Sequence, residues 1–154
     1  GLLRSADRPV AIGELRHLLA VDETLRQRDA GGIGGAAALR VLGAIQVHIG
    51  YYLTQDLFAA SDYRRAVPGL TLVTEIFPEN SFMLYNLACA QARSGLAESA
   101  LASLALALEH GLAQPQQIST DADLASLRER PEFSRLVERA RELEAAESMA
   151  PAPQ

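Results

Sequence analysis

From Val47 the chain can be written as two consecutive segments of 34 residues, VHIGYYLTQDLFAASDYRRAVPGLTLVTEIFPEN and SFMLYNLACAQARSGLAESALASLALALEHGLAQ. They align without a gap: Leu53 falls on Leu87, Ser61 on Gly95, Ala66 on Ala100, Leu70 on Leu104 and Leu72 on Leu106. A repeat of this length is one supersecondary unit that cannot hide its apolar side alone, so neighbouring units must stack. Inside each segment the apolar positions recur at three and four residues, the spacing of one helix face. The pattern predicts pairs of helices.

In the second segment Asn80 or Ser81 is placed to cap a helix running through Arg93, and Ser94-Gly95 supplies a left-handed residue to end it. The short link before Ala97 forces an antiparallel neighbour, lined by Leu101, Leu104, Ala105 and Leu108 and closed at His110-Gly111. Ala88 and Ala100 are small where two helices would cross, which lets their axes approach to about 8–10 Å. In the first segment Pro68 falls within the second helix, where it removes a hydrogen-bond donor and crowds the preceding turn. The expectation is a bend there, or a helix whose regular part starts near Pro68.

The two segments resemble the tetratricopeptide repeat family, whose signature is W-x2-L-G-x2-Y, a small residue, A-x3-F and a closing proline. Leu84 stands in the tryptophan place, Leu87 in the leucine, Ala88 in the glycine, Gln91 in the tyrosine, Gly95 at the turn, Ala100 in the alanine and Leu104 in the phenylalanine place. The first segment matches at Gly50, Leu53, Thr54, Leu57, Asp62-Tyr63, Ala66, Leu70 and Pro78. In the second segment Leu112 stands where the closing proline belongs, and Pro115 follows three residues later.

The resemblance implies an all-α, antiparallel helix-pair solenoid with two tetratricopeptide-like units over residues 47–114 and a C-terminal cap. It also implies that the first helix of each pair lines an inner groove, placing His48, Tyr51, Gln55, Phe82, Tyr85, Asn86 and Arg93 along a peptide-binding surface. Asn86 matches an asparagine of the family's peptide-carboxylate clamps, but the lysines that complete such a clamp have no counterpart, because all 14 basic residues are arginine. A neutral or mildly polar peptide suits these groups better, since tyrosine joins apolar area to a polar tip and asparagine bonds a peptide backbone.

The flanks complete the organisation. Residues 1–46 read as an N-terminal helical region: a turn over Ser5-Ala6-Asp7-Arg8-Pro9, a helix from Ile12 to about Arg28, and a connecting loop at Gly31-Gly32-Ile33-Gly34-Gly35. That glycine run lacks the G-x-G-x-x-G order and the G-K-[ST] ending of nucleotide loops. Ala36 to Ala60 is helical, either as one helix or as two joined near Gly43 or Gly50. Residues 115–148 read as capping helices, with Asp121 capping a short one and Pro131-Glu132 opening another whose stripe is Phe133, Leu136, Val137, Ala140 and Leu143. This stretch resembles the aspartate, leucine, arginine, proline and phenylalanine segment that follows the last helix pair in bacterial repeat proteins. Residues 149–154 are expected to fray.

Composition narrows the function. A net charge of -5 argues against neutralising nucleic-acid phosphates. No apolar run reaches the roughly 18 residues of a membrane span, and Gly1-Leu2-Leu3-Arg4 lacks a signal-peptide layout, so no direct membrane insertion is expected. The single cysteine, Cys89, reads as a small buried hydrophobe and leaves the compartment open, with the cytoplasm as the default. His17, His48 and His110 lack metal-ligand spacing, and no G-x-S-x-G elbow is present. The acid pairs Asp56/Asp62 and Glu75/Glu79 carry no general acid–base signature by spacing alone. The expectation is a non-enzymatic protein or peptide-binding module without cofactor, whose partner is a protein or peptide segment, another domain of a longer parent chain or another copy. Two alternatives remain open: a structural or self-association region appended to a larger enzyme or sensor, packing on the parent or on another copy through Leu39, Leu42, Ile45 and Ile49, and a helical enzyme with a small pocket near Gly31–Gly35, His48 and Asp56.

Overall fold

A computed structural model describes residues 11–149, and among these every regular element is helical. The proposed turn at Ser5–Pro9 and the tail beyond Met149 lie outside the described residues. The chain forms two compact units, Gly1–Pro78 and Glu79–Gln154.

In the first unit, α1 (Ile12–Leu18) and α2 (Val21–Ala30) replace the single helix expected from Ile12 to Arg28. The break sits at Ala20, whose φ of 49° is left-handed. Helix α3 then runs without interruption from Gly32 to Ala59, so the glycine run is not a loop. Only Gly31 and Gly32, with φ of 72° and 65°, make the turn. Gly35 already belongs to the helix, where a Cβ would sit 3.2 Å from the Arg28 carbonyl oxygen. The glycine lets α3 start directly against the end of α2.

Between Gln46 and Leu53 helix α3 widens to a π-helix, flanked by α-helix over Gly32–Ile45 and Thr54–Ala59. The Thr54 hydroxyl donates to the Ile49 carbonyl at 2.8 Å, five residues back, in the register of the widened turn. Helix α4 (Tyr63–Ile76) packs on this stretch, and a Cβ on Gly69 would come to 2.8 Å from Ile49 Cγ2. Pro68 lies inside α4, which continues through it. By length and composition α3 is one helix able to cross a membrane, contrary to the expectation of no such run. A mostly buried core helix of a soluble protein passes the same test, whereas 22% of this apolar stretch is buried, with Gly35, Ala38, Leu42 and Ile45 on its inward side.

In the second unit α5 (Ser81–Arg93) and α6 (Ala97–Glu109) form a hairpin, followed by α7 (Pro115–Thr120), a 3-10 turn (Ala122–Leu127) and α8 (Pro131–Met149). Asn80 caps α5 by accepting from the Met83 amide at 3.1 Å. Leu104, Ala107, Ile118, Leu124 and Leu127 are fully buried, and α8 adds Phe133, Val137 and Ala140. The 3-10 turn lies against α5, and α8 lies against α6 and α7.

The two hairpins share one turn. The amide of Asp62 donates to the Leu57 carbonyl at 2.8 Å, and the amide of Leu96 donates to the Gln91 carbonyl at 2.9 Å, 34 positions on in both partners. The Ser61 to Phe58 bond recurs likewise as Gly95 to Ala92, and Ala60 to Asp56 as Ser94 to Ala90. Ser61 and Gly95 are both left-handed, with φ of 56° and 79°. These are Schellman ends, in which one residue of positive φ satisfies the last carbonyls of a helix.

Candidate functional site

Burial along α3 separates two sides. Inward go Ala38, Leu42, Ile45, Gly50, Thr54 and Leu57, while Ala36, Arg40, Val41, Ala44, Val47, His48, Tyr51, Tyr52, Gln55 and Asp56 form an exposed row stepping every three or four residues. Val47 is 47% exposed, Tyr51 45% and Tyr52 57%. The rings meet: Tyr51 and Tyr52 pack edge-to-face at 5.2 Å, and His48 lies 6.0 Å from Tyr52. Three of the expected groove residues, His48, Tyr51 and Gln55, stand in this row. The self-association face expected at Leu39, Leu42, Ile45 and Ile49 is not one surface, since Leu42 and Ile45 are core.

Helix α5 presents a different picture. Phe82 is 51% exposed and Asn86 is half-buried, but Tyr85 is 3% exposed. Its hydroxyl donates to Asp121 Oδ2 at 2.6 Å, and the Cys89 thiol lies 4.0 Å from the same oxygen. Asp121 Oδ1 meanwhile accepts from the Asp123 amide at 2.8 Å, which starts the 3-10 turn. Arg93 pairs with Asp123 at 3.6 Å, and the Ser126 hydroxyl donates to the Ala92 carbonyl at 3.4 Å. The segment from Asp121 to Leu127 thus lies on the side of α5 that was expected to face a peptide.

This enclosure sets the local electrostatics. Burial, then the hydrogen bond to Asp121, pushes the Tyr85 phenol far above its usual range. Burial, then the charges of Asp121 and Asp123, pushes the Cys89 thiol up in the same way. Both stay protonated, so Cys89 has the opposite of the thiolate character a nucleophile needs.

An open depression of about 400 Å³ lies where α3 gives way to α4, lined by Asp56, Leu57, Ala59, Ala60, Asp62 and Arg65. Asp62 is paired with Arg65 at 3.0 Å, so this carboxylate is neutralised in place. His17, His48 and His110 are each exposed. Among the described residues no three metal-ligating side chains gather.

Sequence reasoning places Val47 and Tyr52 on the apolar face of this helix and leaves them out of the expected groove, although they neighbour His48 and Tyr51 in the exposed row. It also missed the Tyr85–Asp121 bond, which joins residues 36 apart and has no local signature. Compared with protein-family models, curated proteins and solved structures, the chain matches none.

Proposed function

We propose that this chain is a non-enzymatic protein-interaction module of tetratricopeptide type, whose contact surface is the exposed aromatic row of α3. The observation that carries the reading is the cluster of Val47, His48, Tyr51 and Tyr52, half-exposed and ring against ring on a helix whose other side is core. Aromatic side chains at a surface bring large contact area at low rotamer cost, the character of interaction hot spots. The recurrence of the turn hydrogen bonds at a spacing of 34 residues supports the tetratricopeptide assignment of both helix pairs. In this reading α7, the 3-10 turn and α8 are the cap.

His48, Tyr51 and Gln55 keep their expected role, joined by Val47 and Tyr52, and Phe82 and Asn86 remain open to a partner. Tyr85 and Arg93 act within the chain instead, since their polar atoms bond to Asp121 and Asp123. The test is capture of partners from the source lysate by the whole chain and by a Tyr51→Ala/Tyr52→Ala variant. The row predicts loss of the captured protein from the variant, with an unchanged circular dichroism spectrum. Equal capture by both proteins would move the contact surface elsewhere.

A further inference from the structure

Arg40 stands in the exposed row of α3 and makes no hydrogen bond or ion pair among the described residues. From Ala36 to Gln55 it is the row's single charged side chain. A guanidinium inside an apolar contact costs free energy unless an acid meets it. The row holds its acid at Asp56, on the same exposed side but about 24 Å along the helix at 1.5 Å per residue, too far to reach Arg40 of the same chain.

Resting on the reading that this row is the contact surface, we propose that its partner is a second copy of the chain, with two α3 helices packed antiparallel about a two-fold axis at His48. Arg40 and Asp56 each lie eight positions from His48, so reversal sets Arg40 of each copy against Asp56 of the other. Ala44 and Tyr52 each lie four positions away, so the small residue of one helix meets the ring of the other. Val41 meets Gln55 in the same register. A two-fold interface must be complementary to itself, and this row becomes so only on reversal. A lipid surface is a poorer fit, because the row offers one basic residue and the chain is acidic overall, whereas interfacial helices combine an apolar face with several basic residues.

The contact row is roughly 30 Å long from Ala36 to Asp56 at 1.5 Å per residue, a small interface. Sedimentation equilibrium of the whole chain from about 5 to about 500 µM, a range chosen for a small interface, reads this directly. The expected result is a monomer–dimer equilibrium that His48→Glu weakens at least about tenfold, because two like charges then face each other across the axis. Arg40→Asp and Asp56→Arg should each weaken it comparably. Mixing those two variants should restore a heterodimer, since both charge pairs across its axis are again opposite.

A wild-type chain that stays monomeric throughout would overturn the proposal. So would a dimer indifferent to all three substitutions, or a monomer that instead co-sediments with phosphatidylcholine vesicles. The interaction reading fails separately: it falls if Tyr51→Ala/Tyr52→Ala changes neither self-association nor capture, whatever the charge variants do.

Discussion

The hairpin of α3 and α4 and the hairpin of α5 and α6 leave their first helices through turns that correspond bond for bond. Between Ser81 and Arg93, however, nine of thirteen residues of α5 are buried, whereas between Gln46 and Ala59 only Gly50, Thr54 and Leu57 are buried. The local chemistry is shared, and the environment of the first helix is not. What separates them is the chain that follows. After α6, the segment from Asp121 to Leu127 turns back onto α5 and covers Tyr85, Cys89 and Ala92. Within the first unit the matching side of α3 keeps its tyrosines exposed. A turn sets how two helices meet; the covering of their remaining sides depends on distant residues.

The contrast breaks most readily at Leu124. This residue is fully buried in the 3-10 turn against α5, so Leu124→Ala removes packed methyl groups and leaves a cavity, at a cost of about 2–5 kcal/mol. Tyr52→Ala, on the open row, should change stability by less than about 0.5 kcal/mol. Urea unfolding followed by circular dichroism compares the two. Similar losses from both would mean that Tyr52 is as well packed as Leu124 and that the row is not a free surface.

The bond between Tyr85 and Asp121 gives the second, smaller effect. Tyr85→Phe keeps the ring and removes the donor to a carboxylate, which should cost about 1–2 kcal/mol. It also has a pH signature. Tyr85 and Cys89 both have folded-state values held above their ordinary ones, so their contribution is complete below the unfolded-state values, about 10 for tyrosine and about 8.5 for cysteine. As pH rises past those values the unfolded chain loses protons that the folded chain keeps, and stability falls. Urea midpoints should therefore decline above about pH 8.5, and Tyr85→Phe with Cys89→Ala should flatten that decline. An alkaline slope unchanged in the double variant would show that neither group is held by its surroundings.

Much of this architecture is legible in the sequence where the signal is local. Gly95, Gly111, Asn80, Asp121 and Pro131 each mark a helix boundary through their own backbone preference or a side-chain bond to a nearby amide, and the structure has those boundaries. Ala20 and Ser61 carry no such mark. They take left-handed conformations because the flanking helices are fixed by packing, and propensity yields to that constraint. The glycine run misleads for the opposite reason: Gly35 serves close approach to the Arg28 carbonyl, and a helix absorbs it. At the candidate site the composition of the row is legible, but its exposure is not. Tyr51 and Tyr85 look alike in the repeat, and only the return of Asp121 onto one of them tells them apart.

The smallest test bears on the shared turn itself. Gly95 has φ of 79° with open space around a built Cβ, so Gly95→Ala meets no clash and pays only the left-handed backbone penalty, about 1 kcal/mol. Ser61 sits 34 positions earlier at φ of 56° and already bears that penalty. Ser61→Gly should relieve it, less the entropy that glycine adds to the unfolded chain, for a net gain of about 0.5 kcal/mol. Opposite signs at the two positions, read from paired urea midpoints, would make the two turns energetically as well as geometrically equivalent. A loss at both would mean that the Ser61 side chain contributes something at its turn that Gly95 does without, and the correspondence of the hairpins would then end at their hydrogen bonds.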